Sequence, residues 1–235
     1  MACAGEVTLI WAGGAECGTL EGMRIVVCVK HVPDMQSERR FEGGRLVRGE
    51  DDVLNELDEN AIEAAVQLKE AEEEAGREAE VVALTMGPED AEDALMRALQ
   101  MGADRAYIVS DEFLEGSDVI TTASVLSVAI AKIADECGPV DLVITGMASL
   151  DAMTSMLPGA LAAKAHMPLL GLARSMSVED GTVTIERSVD GFTETLRAAL
   201  PAVVSVTDQI NEPRYPAFAA MKAARKKPLD QWGID

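Results

Sequence analysis

The run Arg24-Ile25-Val26-Val27-Cys28-Val29-Lys30 decides the reading of the fold. Its apolar residues follow one another without a polar alternation and are mostly β-branched. Such a run marks a strand covered on both faces, as in the interior of a parallel sheet. Working outward, Glu80-Val81-Val82-Ala83-Leu84-Thr85-Met86 and Val140-Asp141-Leu142-Val143-Ile144-Thr145-Gly146 repeat that texture, with a shorter run at 105–110 between them. Leu54, Leu57, Ala61, Ala65 and Leu68 recur at spacings of three and four, which places them on one helix face. Gly87-Pro88-Glu89-Asp90 puts a proline in a first turn with acids behind it, a helix start that runs through Leu95 and Leu99 to Gly102. Residues 118–137 form a third helix ending at Gly138, and an Ala-rich helix continues to about Lys164. Strand–helix alternation of this kind predicts an α/β fold, a mostly parallel doubly wound sheet with helices on both faces.

After Pro168 the texture changes. Residues 170–178, 182–189 and 193–199 read as strands joined by the turns Glu179-Asp180-Gly181 and Asp190-Gly191, so antiparallel edge strands are expected. The Gly43-Gly44 pair predicts a small hairpin excursion, and Pro201 starts a last core strand over 202–206. Three regions follow: a disordered extension over 1–22, a nucleotide-binding α/β domain over 23–210, and a polar, Pro-punctuated C-terminal arm over 211–235 with one short helix.

The formal charge is −21 in 235 residues. Nucleic-acid binding, which needs a basic face, is disfavoured, and so is docking on an anionic membrane. No apolar run reaches the ~20 residues of a membrane helix, so no insertion is expected. The stretch 214–227 reverses the sign locally with Arg214, Lys222, Arg225, Lys226 and Lys227 and no acid among them. The four cysteines show no metal-like spacing, and only two histidines exist, so an all-protein zinc site is not expected and a reducing cytoplasm fits. No GxSxG, GxGxxG or P-loop motif is present, and no catalytic residue is assigned.

In an open α/β sheet a ligand meets the carboxyl ends of strands at a topological switch point. Three strand ends carry suggestive residues: Cys28 through Asp34, Met86-Gly87-Pro88, and Gly146 through Ser155. Gly146 would let a phosphate approach the main chain, Thr154 and Ser155 offer hydroxyls at a helix start, and Lys30 could reach a phosphate. His31 reads as a hydrogen-bonded structural histidine.

In order along the chain, Val27-Cys28-Val29-Lys30-His31-Val32-Pro33-Asp34, Asn55-Glu56-Leu57-Asp58-Glu59-Asn60-Ala61, Ala98-Leu99-Gln100-Met101-Gly102-Ala103-Asp104-Arg105, Ile185-Glu186-Arg187 with Asp190-Gly191, and Asn211-Glu212-Pro213-Arg214-Tyr215-Pro216 resemble the β subunit of electron-transfer flavoproteins. The resemblance covers 23–235. It implies an electron carrier rather than an enzyme, a heterodimer with an α subunit that holds most of the FAD, and a structural AMP in this subunit. It also implies flavin dehydrogenases, such as acyl-CoA dehydrogenases, as donors and a quinone oxidoreductase as acceptor. Carried over by position, cofactor contacts fall on Cys28, on Asn55, Glu56, Leu57 and Asp58, on Met86, and on Gly146, Met147, Ala148, Ser149, Leu150, Asp151, Ala152, Met153, Thr154, Ser155, Met156 and Leu157. Partner docking falls on Tyr215, Phe218, Met221, Lys222, Arg225 and Lys226, with Phe218 as an apolar anchor among steering charges. Where some members place a tyrosine against the flavin, this chain has Met35. The loop after Gly146 lacks the Asp-Gly-Asp-Thr type run of members that bind a second FAD in this subunit, which favours AMP. The alternatives are an electron-bifurcating relative with that second FAD, and a stand-alone adenine-nucleotide-binding stress or sensor protein.

Overall fold

The computed structural model describes residues 9–11, 22–49 and 51–234. Its centre is an eight-stranded sheet in the order Leu9–Trp11, Leu229–Ile234, Arg105–Val109, Ala79–Met86, Met23–Cys28, Leu142–Gly146, Ala202–Val206, Leu169–Ala173. Every neighbouring pair is parallel except the first, which is antiparallel. The fold is therefore the expected α/β fold with a mostly parallel sheet.

The run that opened the reading shows why both faces must be covered. Ile25 and Val27 point into one apolar layer, where α1 (Glu56–Glu74) and α2 (Glu92–Met101) contribute Ala61, Ile62, Leu95 and Leu99. Val26 and Cys28 point the other way, against Leu126, Ile130 and Ile133 of α3 (Val119–Cys137) and Leu161 of α4 (Leu157–Ala165). Successive strand side chains alternate between faces, so one uninterrupted apolar run feeds two cores. Capping matches local chemistry: Asp118 accepts the Thr121 N–H at 2.7 Å to start α3, and Gly102 ends α2 at φ 136°.

The turn signals hold. Gly43 and Gly44 both take positive φ between Phe41–Glu42 and Arg45–Leu46, and Asp180-Gly181 and Asp190-Gly191 do the same between antiparallel strands. Those strands, Ser175–Glu179, Thr182–Val189 and Phe192–Ala199, make a sheet of their own. The stretch 170–178, expected as one strand, is two. Leu169–Ala173 joins the central sheet beside Ala202–Val206, and the chain then turns into the small sheet. The break comes at Arg174, just after an irregularity in pairing between Leu170 and Ala173, where Leu172 takes φ 64°.

The arm also holds more than a short helix. After α5 (Phe218–Ala224), Leu229–Ile234 adds a parallel strand beside Arg105–Val109. Trp232 is fully buried there and stacks on Tyr107 with ring centroids 4.4 Å apart. Its polar, Gly-containing sequence conceals the strand, and a single large aromatic anchors it. Within the stretch expected as an extension, Leu9–Trp11 pairs with Leu229–Ile234; the rest of 1–21 lies outside the described residues.

Candidate functional site

The chain runs from Met23–Cys28 outward through two strands on one side, then returns to place Leu142–Gly146 on the other. The switch point therefore falls between the carboxyl ends of these two strands, where Cys28 and Gly146 stand. The first turn of α1 enters this crevice. Asn55, its N-cap, is fully buried: its Nδ2 donates to the Ala148 carbonyl at 2.9 Å and its Oδ1 accepts from the Leu150 N–H at 3.0 Å. One side chain thus bolts the loop after Gly146 to the helix start. Asp58, one turn on and buried, accepts the Lys30 N–H at 2.8 Å. Burial pushes the Asp58 carboxyl up to about 7, against hydrogen bonds from Asn55, Lys30 and Gly146 that pull it down. Burial, with the Asp58 charge adding, pushes the Cys28 thiol up to about 12, so Cys28 is an inert part of the floor. Thr85 Oγ1 donates to the Val29 carbonyl at 2.8 Å and ties the neighbouring strand end, which carries half-buried Met86, to this floor.

Gly146 also meets a demand from within the fold. A Cβ there would meet Asp58 Oδ1 at 2.5 Å and the Leu57 carbonyl oxygen at 2.8 Å. The glycine makes room for α1. Lys30 is likewise committed: its Nζ lies 2.8 Å from Asp151 Oδ2, whose side chain is only 2 % exposed, and Arg48 binds the same carboxylate. Burial alone would raise the Asp151 carboxyl, but the hydrogen bonds from Lys30 and Arg48 outweigh it and hold it well below the usual carboxylate range. Arg39 donates to the Leu150 carbonyl at 3.0 Å, so the segment carrying the Phe41–Leu46 hairpin grips this loop twice. His31 is buried, as a structural histidine would be, but neither ring nitrogen makes the expected hydrogen bond.

The loop divides into two halves. Met147, Ala148, Ser149 and Leu150 are half-buried, and Ala148, Leu150 and Asp151 are tied down; Ala152, Met153, Thr154, Ser155 and Met156 are exposed, with Met153 and Ser155 at φ 52° and 51°. Half-buried Leu157 opens α4, whose N-cap Met156 makes no side-chain hydrogen bond to it. The N–H groups of that first turn are left for solvent or a ligand. Of the other expected contacts, Leu57 touches the crevice through its carbonyl, while Glu56 is exposed. Sequence reading passed over Arg39 and Arg48. The available signal was a run of arginines (Arg39, Arg40, Arg45, Arg48) inside a strongly acidic chain.

The arm is a separate surface. At its root Arg214 binds Glu63 at 2.7 Å and Glu70 at 2.6 Å, and Asn60 and Asn211 exchange hydrogen bonds. Beyond it Tyr215 and Phe218 are 85 % and 83 % exposed, Lys222, Arg225 and Lys226 are exposed, and Met221 is half-buried. Lys227 turns inward onto the Leu99 and Ala103 carbonyls. Among the described residues no His, Cys, Asp or Glu cluster could hold a metal, and no helix is long and apolar enough to cross a membrane.

A doubly wound parallel sheet, with a polar crevice at its switch point and a basic arm outside it, defines the class. Comparison with known proteins narrows it. Residues 44–235 match the family described as the electron transfer flavoprotein domain. The chain is 43% identical over 206 residues to the electron transfer flavoprotein subunit beta of Mycobacterium leprae, covering 86% of this chain and 76% of that protein. It is 35% identical over 212 residues to the subunit beta of Megasphaera elsdenii, covering 87% and 76%. It is 32% identical over 212 residues to the caffeyl-CoA reductase-Etf complex subunit CarD of Acetobacterium woodii, covering 89% and 78%. The chain belongs to the electron transfer flavoprotein family, as a β subunit.

Proposed function

We propose that this chain pairs with an α subunit in a cytoplasmic heterodimer that carries electrons from flavin dehydrogenases, acyl-CoA dehydrogenases among them, to an acceptor such as a quinone oxidoreductase. The observation that carries the reading is the crevice of a family β subunit, floored by buried Asn55 and Asp58 and closed by the loop they hold. FAD, when bound and held mostly by the α subunit, supplies the redox chemistry. This chain supplies the shape of the site. The donor set fits AMP: the uncapped first turn of α4 and the exposed hydroxyls of Thr154 and Ser155 suit a phosphate, and Asn55 fixes the loop that presents them. Phe218 and Tyr215 offer apolar anchors, while Lys222, Arg225 and Lys226 steer an acidic partner.

The test is functional. The chain is co-purified with its α subunit and mixed with an acyl-CoA dehydrogenase and its substrate, and the flavin absorbance of the complex is followed. Bleaching, with return of colour on adding a quinone oxidoreductase, is expected; a complex whose flavin stays oxidised would refute the carrier role. A second reading rests on the 32% identity to CarD of a caffeyl-CoA reductase-Etf complex. In it, the crevice takes a second FAD and the pair bifurcates electrons.

A further inference from the structure

Tyr215 is 85 % exposed, yet its ring does not stand alone. The Arg97 guanidinium of α2 lies over it, 5.6 Å from the ring centroid. Arg97 is itself clamped: its Nε and Nη2 lie 3.0 and 2.9 Å from one oxygen, Oε1, of Glu59 on α1. The main chain at Tyr215 is held as well. The Arg214 N–H donates to Glu63 Oε2 at 3.1 Å, and Pro213 and Pro216 bracket the two residues and restrict the backbone on either side. Tyr215 also borders a groove lined by Gln100, Met101, Ala217, Ala220 and Ala223. An untethered ring would bury apolar surface by folding into that groove, where an incoming protein could not meet it.

We infer that Arg97 is a positioning residue for dehydrogenase docking: fixed by Glu59, it holds the Tyr215 ring in the exposed orientation that the partner meets. A ring restrained before association costs less to immobilise on binding than a free one. Arg97 is not one of the steering charges, because Glu59 neutralises it beside the ring, whereas Lys222, Arg225 and Lys226 are exposed. A cation–π contact at so exposed a ring corresponds to about two- to fivefold in affinity. The inference rests on the docking role proposed for the arm.

The experiment uses the heterodimer of the full chain and its α subunit as electron acceptor for an acyl-CoA dehydrogenase, and reads KM and kcat for the heterodimer. Arg97→Met keeps a long side chain and removes its charge. It is expected to raise KM about two- to fivefold with kcat nearly unchanged. Combined with Tyr215→Ala, it is expected to raise KM no further than Tyr215→Ala alone, since Arg97 acts through that ring. Additive losses would overturn the inference. Glu59→Ala is the second arm, and it serves also if Arg97→Met does not assemble. It unclamps Arg97 and is expected to raise KM; a fall would mean that the freed cation meets the acidic partner directly, and would overturn the positioning role. Phe218→Ala separates this inference from the reading beneath it. A KM raised by Phe218→Ala but not by the Arg97 and Glu59 variants overturns the positioning role and leaves docking through the arm standing. A KM raised by neither Phe218→Ala nor Tyr215→Ala overturns docking through the arm itself.

Discussion

Asp58 shows how a single carboxylate couples this site to stability. Its folded-state pKa of about 7 lies above the ordinary 3.8, so the folded chain holds a proton that the unfolded chain has released between those pH values. Its ionisation therefore costs stability progressively as pH rises from about 4 to 7, by on the order of 4 kcal/mol when complete. Asp58→Asn keeps an acceptor for the Lys30 N–H and removes the titration. Urea midpoints of the two proteins are expected to diverge as pH rises from 4.5 to 7.5, the variant becoming relatively more stable; parallel curves would show that Asp58 ionises freely. Gly146 makes a second demand at this scale. Gly146→Ala pushes a methyl into Asp58 and the Leu57 carbonyl, and a loss of about 1–3 kcal/mol is expected in thermal or chemical unfolding. Asn55→Ala strands the Leu150 N–H and the Ala148 carbonyl, and faster proteolysis within 147–156 is the expected readout.

Among the elements, the strands and helices that feed two cores were legible, because Ile25 to Val29, Val81 to Thr85 and Leu142 to Thr145 carry their burial in plain residue type. The Gly43-Gly44, Asp180-Gly181 and Asp190-Gly191 turns were legible for the same reason: only a few residues tolerate φ above zero. What stayed hidden was decided by distant partners. Leu229–Ile234 is a strand because Trp232 finds Tyr107 and the edge of Arg105–Val109, contacts made across more than a hundred residues. Of the site, the three strand ends could be read; the Asn55 bridge and the Asp151 clasp could not, since only the fold brings Lys30, Arg48 and Asp151 together. Trp232→Ala is accordingly expected to cost about 3–5 kcal/mol and to release the C-terminal strand, which hydrogen exchange along 229–234 would register. Phe218→Ala removes a side chain 83 % exposed, so the unfolding midpoint is expected to stay put while the KM for a dehydrogenase partner rises. A shift in stability with no change in KM would place Phe218 in the fold instead.

Across the whole molecule, a net charge of −21 surrounds an arm that is locally basic at Lys222, Arg225 and Lys226. That contrast predicts association with acidic partners whose rate falls as salt rises, while reduction within the formed complex is unaffected. The root of the arm is fixed to α1 through Arg214 and Asn211, so the exposed Tyr215 and Phe218 beyond it are presented from a firm base. On the proposed reading crevice and arm divide the work: one would hold a nucleotide inside the subunit, the other would meet proteins outside it. The nucleotide content of the intact heterodimer tests this division most directly, by denaturing the complex and quantifying what is released by chromatography and absorbance. One FAD and one AMP per heterodimer is the predicted result; two FAD and no AMP, or no adenine nucleotide beyond a single FAD, would contradict it.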